Sequence, residues 1–282
     1  VERHGVPHYA VGDDVHEAGF GIIAYGKLGG LELSYGSDLD IVFLHDSHGS
    51  KQQTDGDRPL DNGMFFGRLV RRLTHFLSMQ TGSGQLYEVD TRLRPDGHKG
   101  LLVTNTEAFE RYQEENAWTW EHQALLRARP VAGSACIAAE FDRIRRETLV
   151  RRVHRDTLRQ DVIDMRKRMR KELDRSDSEA FDLKHGRGGI GDIEFLVQYL
   201  VLANAPDHPD VIFWSDNIRQ LDSLVEAGCI ESQVRDALQD AYREYRLRSH
   251  HLGLDDQSAL VGQEEFTKWR AYVAEIWDAW LG

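Results

Sequence analysis

A chain of 282 residues with 40% hydrophobic and 29% charged side chains has the make-up of an ordinary folded protein, two domains or one large one. No apolar run approaches the ~20 residues needed to span a bilayer, which excludes a membrane protein, and a net charge of −12 argues against a general nucleic-acid binder. Two cysteines, Cys136 and Cys229, are too few for a disulfide framework or a zinc cluster and fit a reducing cytoplasm, while Val1 in place of an initiator Met makes the sequence read as part of something longer.

The first half alternates strand-like and helical runs. FGIIAY (20–25) and LDIVFL (39–44) are apolar, rich in β-formers and bounded by Gly, Ser and Asp, which predicts two strands. Over 63–79, Phe65, Phe66, Leu69, Val70, Leu73, Phe76 and Leu77 recur at helical spacing. QLYEVD (85–90) and LLVT (101–104) read as strands around the turn PDGHKG, and 106–128 reads as one helix with Trp118 and Trp120 near its middle. Those indoles and Tyr112 are expected in the core. From about 135 strand signals stop. Leu158, Val162, Met165, Met169 and Leu173 form a helical stripe, as do Ile193, Leu196, Val197, Leu200 and Val201, and further helices are predicted at 215–227, 231–251 and 263–281. The division is expected near 135–150, with domains 1–140 and 141–282. Charge is uneven: residues 143–175 hold 13 Lys and Arg against 6 Asp and Glu, leaving 22 against 41 elsewhere. This stretch reads as a solvated helix face or as a contact for an acidic partner, with Arg166, Lys167 and Arg170 expected to be exposed because they lie off the Met165–Met169 stripe.

The chemistry concentrates in GKLGGLELSYGSDLDIVFL (26–44). Alternation along a strand puts Asp38 and Asp40 on one face, about 7 Å apart, with Leu39, Ile41 and Phe43 on the core side. Paired carboxylates repel unless a cation lies between them, and hard oxygen ligands at this spacing suit Mg²⁺ completed by substrate phosphates. Gly29 and Gly30 would let backbone N–H groups approach phosphate oxygens, and Ser37 stands directly before the acidic pair. A two-metal phosphoryl-transfer site needs a third carboxylate from a neighbouring strand. LYEVDTRLRP supplies Asp90, with Glu88 on its face, and then Arg92 and Arg94 for triphosphate oxygens.

Gly-Gly, Ser-Asp-x-Asp and a later strand Asp resemble the nucleotidyltransferase superfamily that includes DNA polymerase beta. More narrowly, YGKLGGLELSYGSDLDIVFLHD, LYEVDTRLRPDG, NAWTWEHQALLRARPVAG and GGIGDIEFLVQYLVL together resemble glutamine synthetase adenylyltransferase (glutamate–ammonia-ligase adenylyltransferase) over about residues 20–280. The resemblance implies an α/β nucleotidyltransferase domain of polymerase-beta type followed by an all-α helical bundle domain. It implies a bifunctional enzyme of two homologous halves, one attaching AMP to a glutamine synthetase tyrosine and one removing it by phosphorolysis. Trp-Glu-His in AWTWEHQALLRAR resembles the attaching half. ATP would be the substrate, with two Mg²⁺ held by Asp38, Asp40 and Asp90, and Gly29, Gly30, Ser37, Arg92 and Arg94 on the nucleotide. Glutamine synthetase is the implied partner, with a PII-type signalling protein reached through a longer chain, and neither nucleic acid nor membrane. Three alternatives stay open: the AMP-removing half, a related uridylyltransferase, and a catalytically silent PII-responsive module.

Other patterns carry less. Gly186-Arg-Gly188-Gly-Ile-Gly191 matches G-x-G-x-x-G, but no βαβ unit surrounds it, so it reads as a helix start led by Asp192 and Glu194; the resemblance adds the option that this loop and Lys184 face the nucleotide. His45-Asp46 ends a strand, unlike the helical pairs of phosphohydrolases. His250-His251 lies within a predicted helix.

Overall fold

The computed structural model describes residues 3–82, 84, 85, 87–151 and 156–282. Its packing divides the chain into two compact units, Val1–Ala117 with Arg127–Thr148, and Trp118–Leu126 with Leu149–Gly282. The chain therefore passes between units three times, after 117, 126 and 148, rather than once after 140.

The first unit is mixed α/β. A small antiparallel sheet, β1 (Pro7–Val11), β2 (Asp14–Glu17) and β5 (Ser50–Thr54), has the order β2-β1-β5. The main sheet has β3 (Phe20–Ala24) antiparallel to β4 (Leu39–His45) and to β8 (Arg129–Gly133). Two short strands share the outer edge of β4, both parallel to it. β6 (Val89–Asp90) pairs near its start and β7 (Val103–Asn105) near its end. Of the run expected as a strand over 85–90, Val89 and Asp90 are strand, and Leu86 lies outside the described residues. Ile41 and Phe43 are buried with Phe66 and Val70 of helix α2 (Asn62–Leu77), as expected, but Val42 and Leu44 on the Asp40 face are buried too, so β4 is covered on both faces beyond Asp40. Asp61 caps α2 by accepting from Met64 N (3.1 Å).

The helix expected over 106–128 is two, α3 (Thr106–Glu115) and α4 (Thr119–Leu126). Asn116 and Ala117 both donate to Tyr112 O (2.9 Å), closing α3, and the Glu121 carboxylate accepts from Trp118 N (2.9 Å) to open α4. This break coincides with the passage between units. The tryptophans are not core: Trp118 is 69% and Trp120 39% exposed, because α4 buries the neighbouring Thr119, Glu121 and His122 instead. Tyr112 is half-buried.

Helix α5 (Ala135–Arg151) leads into the second unit, which is mostly helical: α6 (Leu158–Leu173), α7 (Ile190–Asn204), α8 (Asn217–Glu226), α9 (Ser232–Leu254) and α10 (Thr267–Leu281). It is not all-α. β9 (Ala180–Asp182) and β10 (Leu260–Gly262) pair antiparallel. The buried face of α6 is Leu158, Val162, Ile163 and Arg166, while Leu173 is exposed. Arg166 is 1% exposed, drawn inside because its Nε donates to Asp192 Oδ1 (2.6 Å), and Arg170 Nη2 donates to the same carboxylate. The expectation of exposed Arg166 and Arg170 is thus corrected, and Lys167 alone of the three is exposed. Elsewhere in the basic stretch, Arg143 is held by Glu110, Glu140 and Glu147.

Candidate active site

The site forms where β3 turns back into β4. Tyr25 leaves β3 extended, Gly26 takes φ +54°, and a four-residue helix, α1 (Gly26–Gly29), follows. Tyr25 N donates to Asp40 O (2.8 Å), which fixes the start of β4 beneath α1. A Cβ on Gly26 would lie 2.3 Å from Asp40 Oδ2, so the turn leaves space for that carboxylate and nothing more. Ser37 is buried, pairing its hydroxyl with that of Ser34 (2.8 Å) and accepting from Lys27 Nζ (3.3 Å). It thereby holds the loop that delivers Asp38 to the surface.

Asp40 is directly opposite Asp90 in the parallel β4–β6 pairing, which puts the two side chains on one face of adjacent strands. Asp38 lies two residues before Asp40 and just ahead of the strand. The electrostatics record this crowding. Partial burial first, then the charges of Asp90 and Asp38, push the Asp40 carboxyl up to about 6 against the opposing pull of Arg92 and Lys27. Asp90 is held below the usual carboxylate range, first by the Arg92 side-chain hydrogen bond (Nε to Oδ2, 2.6 Å), with Arg92 N on Oδ1 (2.8 Å). Arg92 itself is 64% exposed.

A carboxyl with a raised folded pKa resists ionisation, so its share of stability is present below about pH 4 and is lost as pH rises through about 6. Asp40→Asn is therefore expected to stabilise the metal-free protein at pH 7.5. The shift caps the gain near ~3 kcal/mol, and solvent access reduces it to about 1–2 kcal/mol. Thermal melts in EDTA should show the advantage over wild type shrinking steadily toward about pH 4. A constant difference across that range would mean that ionisation is not its source.

Among the described residues no three His, Cys, Asp or Glu side chains already converge on one point as a metal cage. Asp90 is turned to Arg92 instead. The donor set nevertheless fits a hard divalent cation: three carboxylates, two in register on adjacent strands, with Asp40 kept from ionising freely by burial and then by the other two.

Several predicted residues have different work. Gly29 and Gly30 donate their N–H groups to Tyr25 O (2.8 Å) and Gly26 O (3.0 Å). Their missing side chains make room for Arg127, whose carbonyl would lie 1.9 Å from a Cβ on Gly29 and whose Nη2 would lie 2.7 Å from one on Gly30. Close packing, not an open phosphate cradle, accounts for this pair. Arg94 is 7% exposed and donates to Thr91 O (2.7 Å), Thr91 Oγ1 (2.8 Å) and Gly100 O (3.3 Å), so it staples the 91–100 loop and is corrected from a triphosphate ligand to a scaffold residue. Arg94→Ala is expected to cost about 2–3 kcal/mol, because buried carbonyls would lose their donors. Urea denaturation would measure it, and an unchanged midpoint would return Arg94 to the nucleotide.

Sequence reasoning missed Gly26, Lys27, Glu32, Arg127 and Arg129. Arg127 Nη2 meets Glu32 Oε2 (2.5 Å), and Arg129 donates to Gly29 O (3.0 Å) and Leu28 O (3.1 Å) at the C-terminal end of α1. The signal was the basic string RARP, read only as part of the motif NAWTWEHQALLRARPVAG.

The competing patterns resolve as structure. His45 stacks on Phe66 (4.8 Å), burial pushes its pKa down to about 4, and Asp46 accepts from Gly19 N (2.7 Å). Gly188 takes φ +79° and donates to Asp192 Oδ2 (2.7 Å), and the preceding β9 runs antiparallel to its neighbour, which is a packed helix start and not a dinucleotide fold.

Residues 1–144 match the family model described as glutamate-ammonia ligase adenylyltransferase, and residues 156–259 match one described as GlnD PII-uridylyltransferase. A relative from Thioalkalivibrio sulfidiphilus is 54% identical over 98% of this chain and 28% of its own length. Relatives from Nitrosococcus oceani and Hahella chejuensis are 50% and 47% identical over 100% and 99% of this chain, each over 29% of its own. All three are named bifunctional glutamine synthetase adenylyltransferase/adenylyl-removing enzyme, and the chain spans under a third of their length. These are adenylyltransferases, members of the nucleotidyltransferase class of enzymes to which an acidic strand pair beside a glycine turn had pointed. The chain belongs to the glutamate-ammonia ligase adenylyltransferase family.

Proposed function

We propose that this chain is the adenylylating part of such an enzyme, with a polymerase-beta-like first unit, and that it moves AMP from ATP to a tyrosine hydroxyl of glutamine synthetase. The observation that carries the reading is the parallel register of Asp40 with Asp90, with Asp38 one side-chain repeat away. Asp38, Asp40 and Asp90 would hold Mg²⁺, two ions in the full site, and the metal supplies neutralisation of triphosphate charge. The tyrosine oxygen attacks the α-phosphorus in line, the bond to the bridging oxygen breaks, and pyrophosphate leaves with the electron pair. Asp90, kept ionised by Arg92, is the acceptor for the phenolic proton. Arg92 is exposed beside Asp90 and would meet triphosphate oxygens from that strand end, while Ser37, Gly29 and Gly30 hold the turn that presents Asp38. Positioning and charge compensation supply most of the acceleration.

The string Trp120-Glu121-His122 supports the attaching direction by its resemblance to that half. The match of 156–259 to a model named for a PII-uridylyltransferase supports a PII-type protein as a partner of the longer protein. The test is incubation with α-labelled ATP, glutamine synthetase and Mg²⁺. Label on glutamine synthetase supports the proposal. Release of ADP from adenylylated glutamine synthetase with phosphate, and no transfer, would assign the removing half. Binding without either reaction would leave a regulatory module.

A further inference from the structure

We propose that the helical unit carries an anion-binding site of its own, built by Arg159, Arg166, Lys167, Arg170 and Arg187 for a small oxyanion, a phosphate or a dicarboxylate. These five cations line one cavity of about 320 Å³ beside α6 and α10, whose only acidic lining side chain among the described residues is Asp278. Asp278 is taken by Arg187 (2.5 Å). Behind the cavity a single carboxylate, Asp192, serves two guanidinium groups at 2.6 Å each, and also accepts from Gly188 N (2.7 Å).

One carboxylate neutralises one guanidinium. The pair therefore keeps a net positive charge, with Arg166 1% exposed and Arg170 25% exposed at the cavity, and a partly desolvated excess charge is costly unless something pairs with it. The hydrogen bonds tell the same story. Arg166 Nη1 and Arg170 Nε are each buried without an acceptor among the described residues, and both residues line the cavity. A purely structural clamp on the start of α7 needs one arginine with its donors filled. Two arginines with donors to spare, joined by Lys167 and Arg187 at the mouth, are the arrangement that receives an oxyanion, whose lone pairs match guanidinium N–H groups in pairs. Ile163, Trp277 and Leu281 supply apolar walls that limit screening by water.

The test is isothermal titration of the chain with inorganic phosphate and, separately, with succinate, which distinguishes the two sources of the same chemistry. Wild type is expected to bind one equivalent of at least one of them. The double variant Lys167→Gln/Arg187→Gln changes two solvent-exposed side chains and should keep its melting curve while binding about tenfold more weakly or worse. Asp40→Asn should leave this affinity unchanged. The proposal is overturned if neither anion saturates below about 10 mM, if the double variant binds as wild type does, or if Asp40→Asn abolishes the binding.

Discussion

Replacing Asp38, Asp40 or Asp90 by asparagine is expected to lower AMP transfer by about 10²–10³-fold at saturating Mg²⁺, the scale on which removal of one charge-stabilising group acts. Each substitution keeps the shape of the side chain and removes the charge that holds a cation. The fold should survive in all three, and Asp40→Asn should melt higher than wild type without metal, since a neutral amide escapes the burial cost and the repulsion from Asp90 and Asp38 that raise the carboxyl's pKa. Loss of activity with gain of stability is the signature that separates a site carboxylate from a structural one. Asp90→Asn adds a distinction, because Arg92 would lose its anionic partner as well. A labelled-ATP assay beside thermal melts reads both quantities, and more than a few per cent activity in any of the three variants would remove that residue from the site.

Gly26→Ala is expected to be nearly as damaging although it removes no reactive group. The added Cβ would lie 2.3 Å from Asp40 Oδ2, a separation atoms do not tolerate, and φ +54° is itself strained for a residue with a Cβ. The backbone strain costs about 1–2 kcal/mol. The displaced carboxylate costs more in rate, since an error of about 1 Å at a reacting centre is worth roughly 10²-fold. The comparison variant is Gly36→Ala, in the loop before Ser37. It has φ +66° but nothing within 4 Å of its Cβ, so it carries the strain without the collision. Equal activity loss in the two variants would show that strain, not the position of Asp40, is responsible.

Much of this was legible in the sequence because it was local. A strand alternates faces, so Asp40 and the apolar Leu39, Ile41 and Phe43 could be sorted onto opposite sides from spacing alone, and Ile41 and Phe43 are buried as expected, although Asp38 lies just ahead of the strand and Val42 and Leu44 are buried as well. The helices at 62–77, 158–173 and 190–204 repeat their apolar residues at helical intervals and were bounded to within a few residues. The other strands were not legible. β1, β2, β5 and β8 are too brief or too polar to show alternation, and β9 finds β10 nearly eighty residues away, a pairing that no local window contains.

What the sequence alone determined about this protein is a set of chemistries: an acidic pair on a strand, a third acid beyond it, glycines at a turn and a helical second half. What only the tertiary structure decided is which charges meet. Arg94 and Arg92 stand two residues apart and look alike in the sequence, yet one is spent on the carbonyls of its own loop and the other on Asp90. Arg166 lies on the polar side of a helical stripe and is nonetheless among the most buried side chains of the chain, because Asp192 waits on the neighbouring helix. Periodicity reports the average preference of a residue type for water. A charged side chain departs from that average wherever the fold brings an opposite charge within hydrogen-bonding distance, and that partner lies at a sequence separation set by topology rather than by spacing.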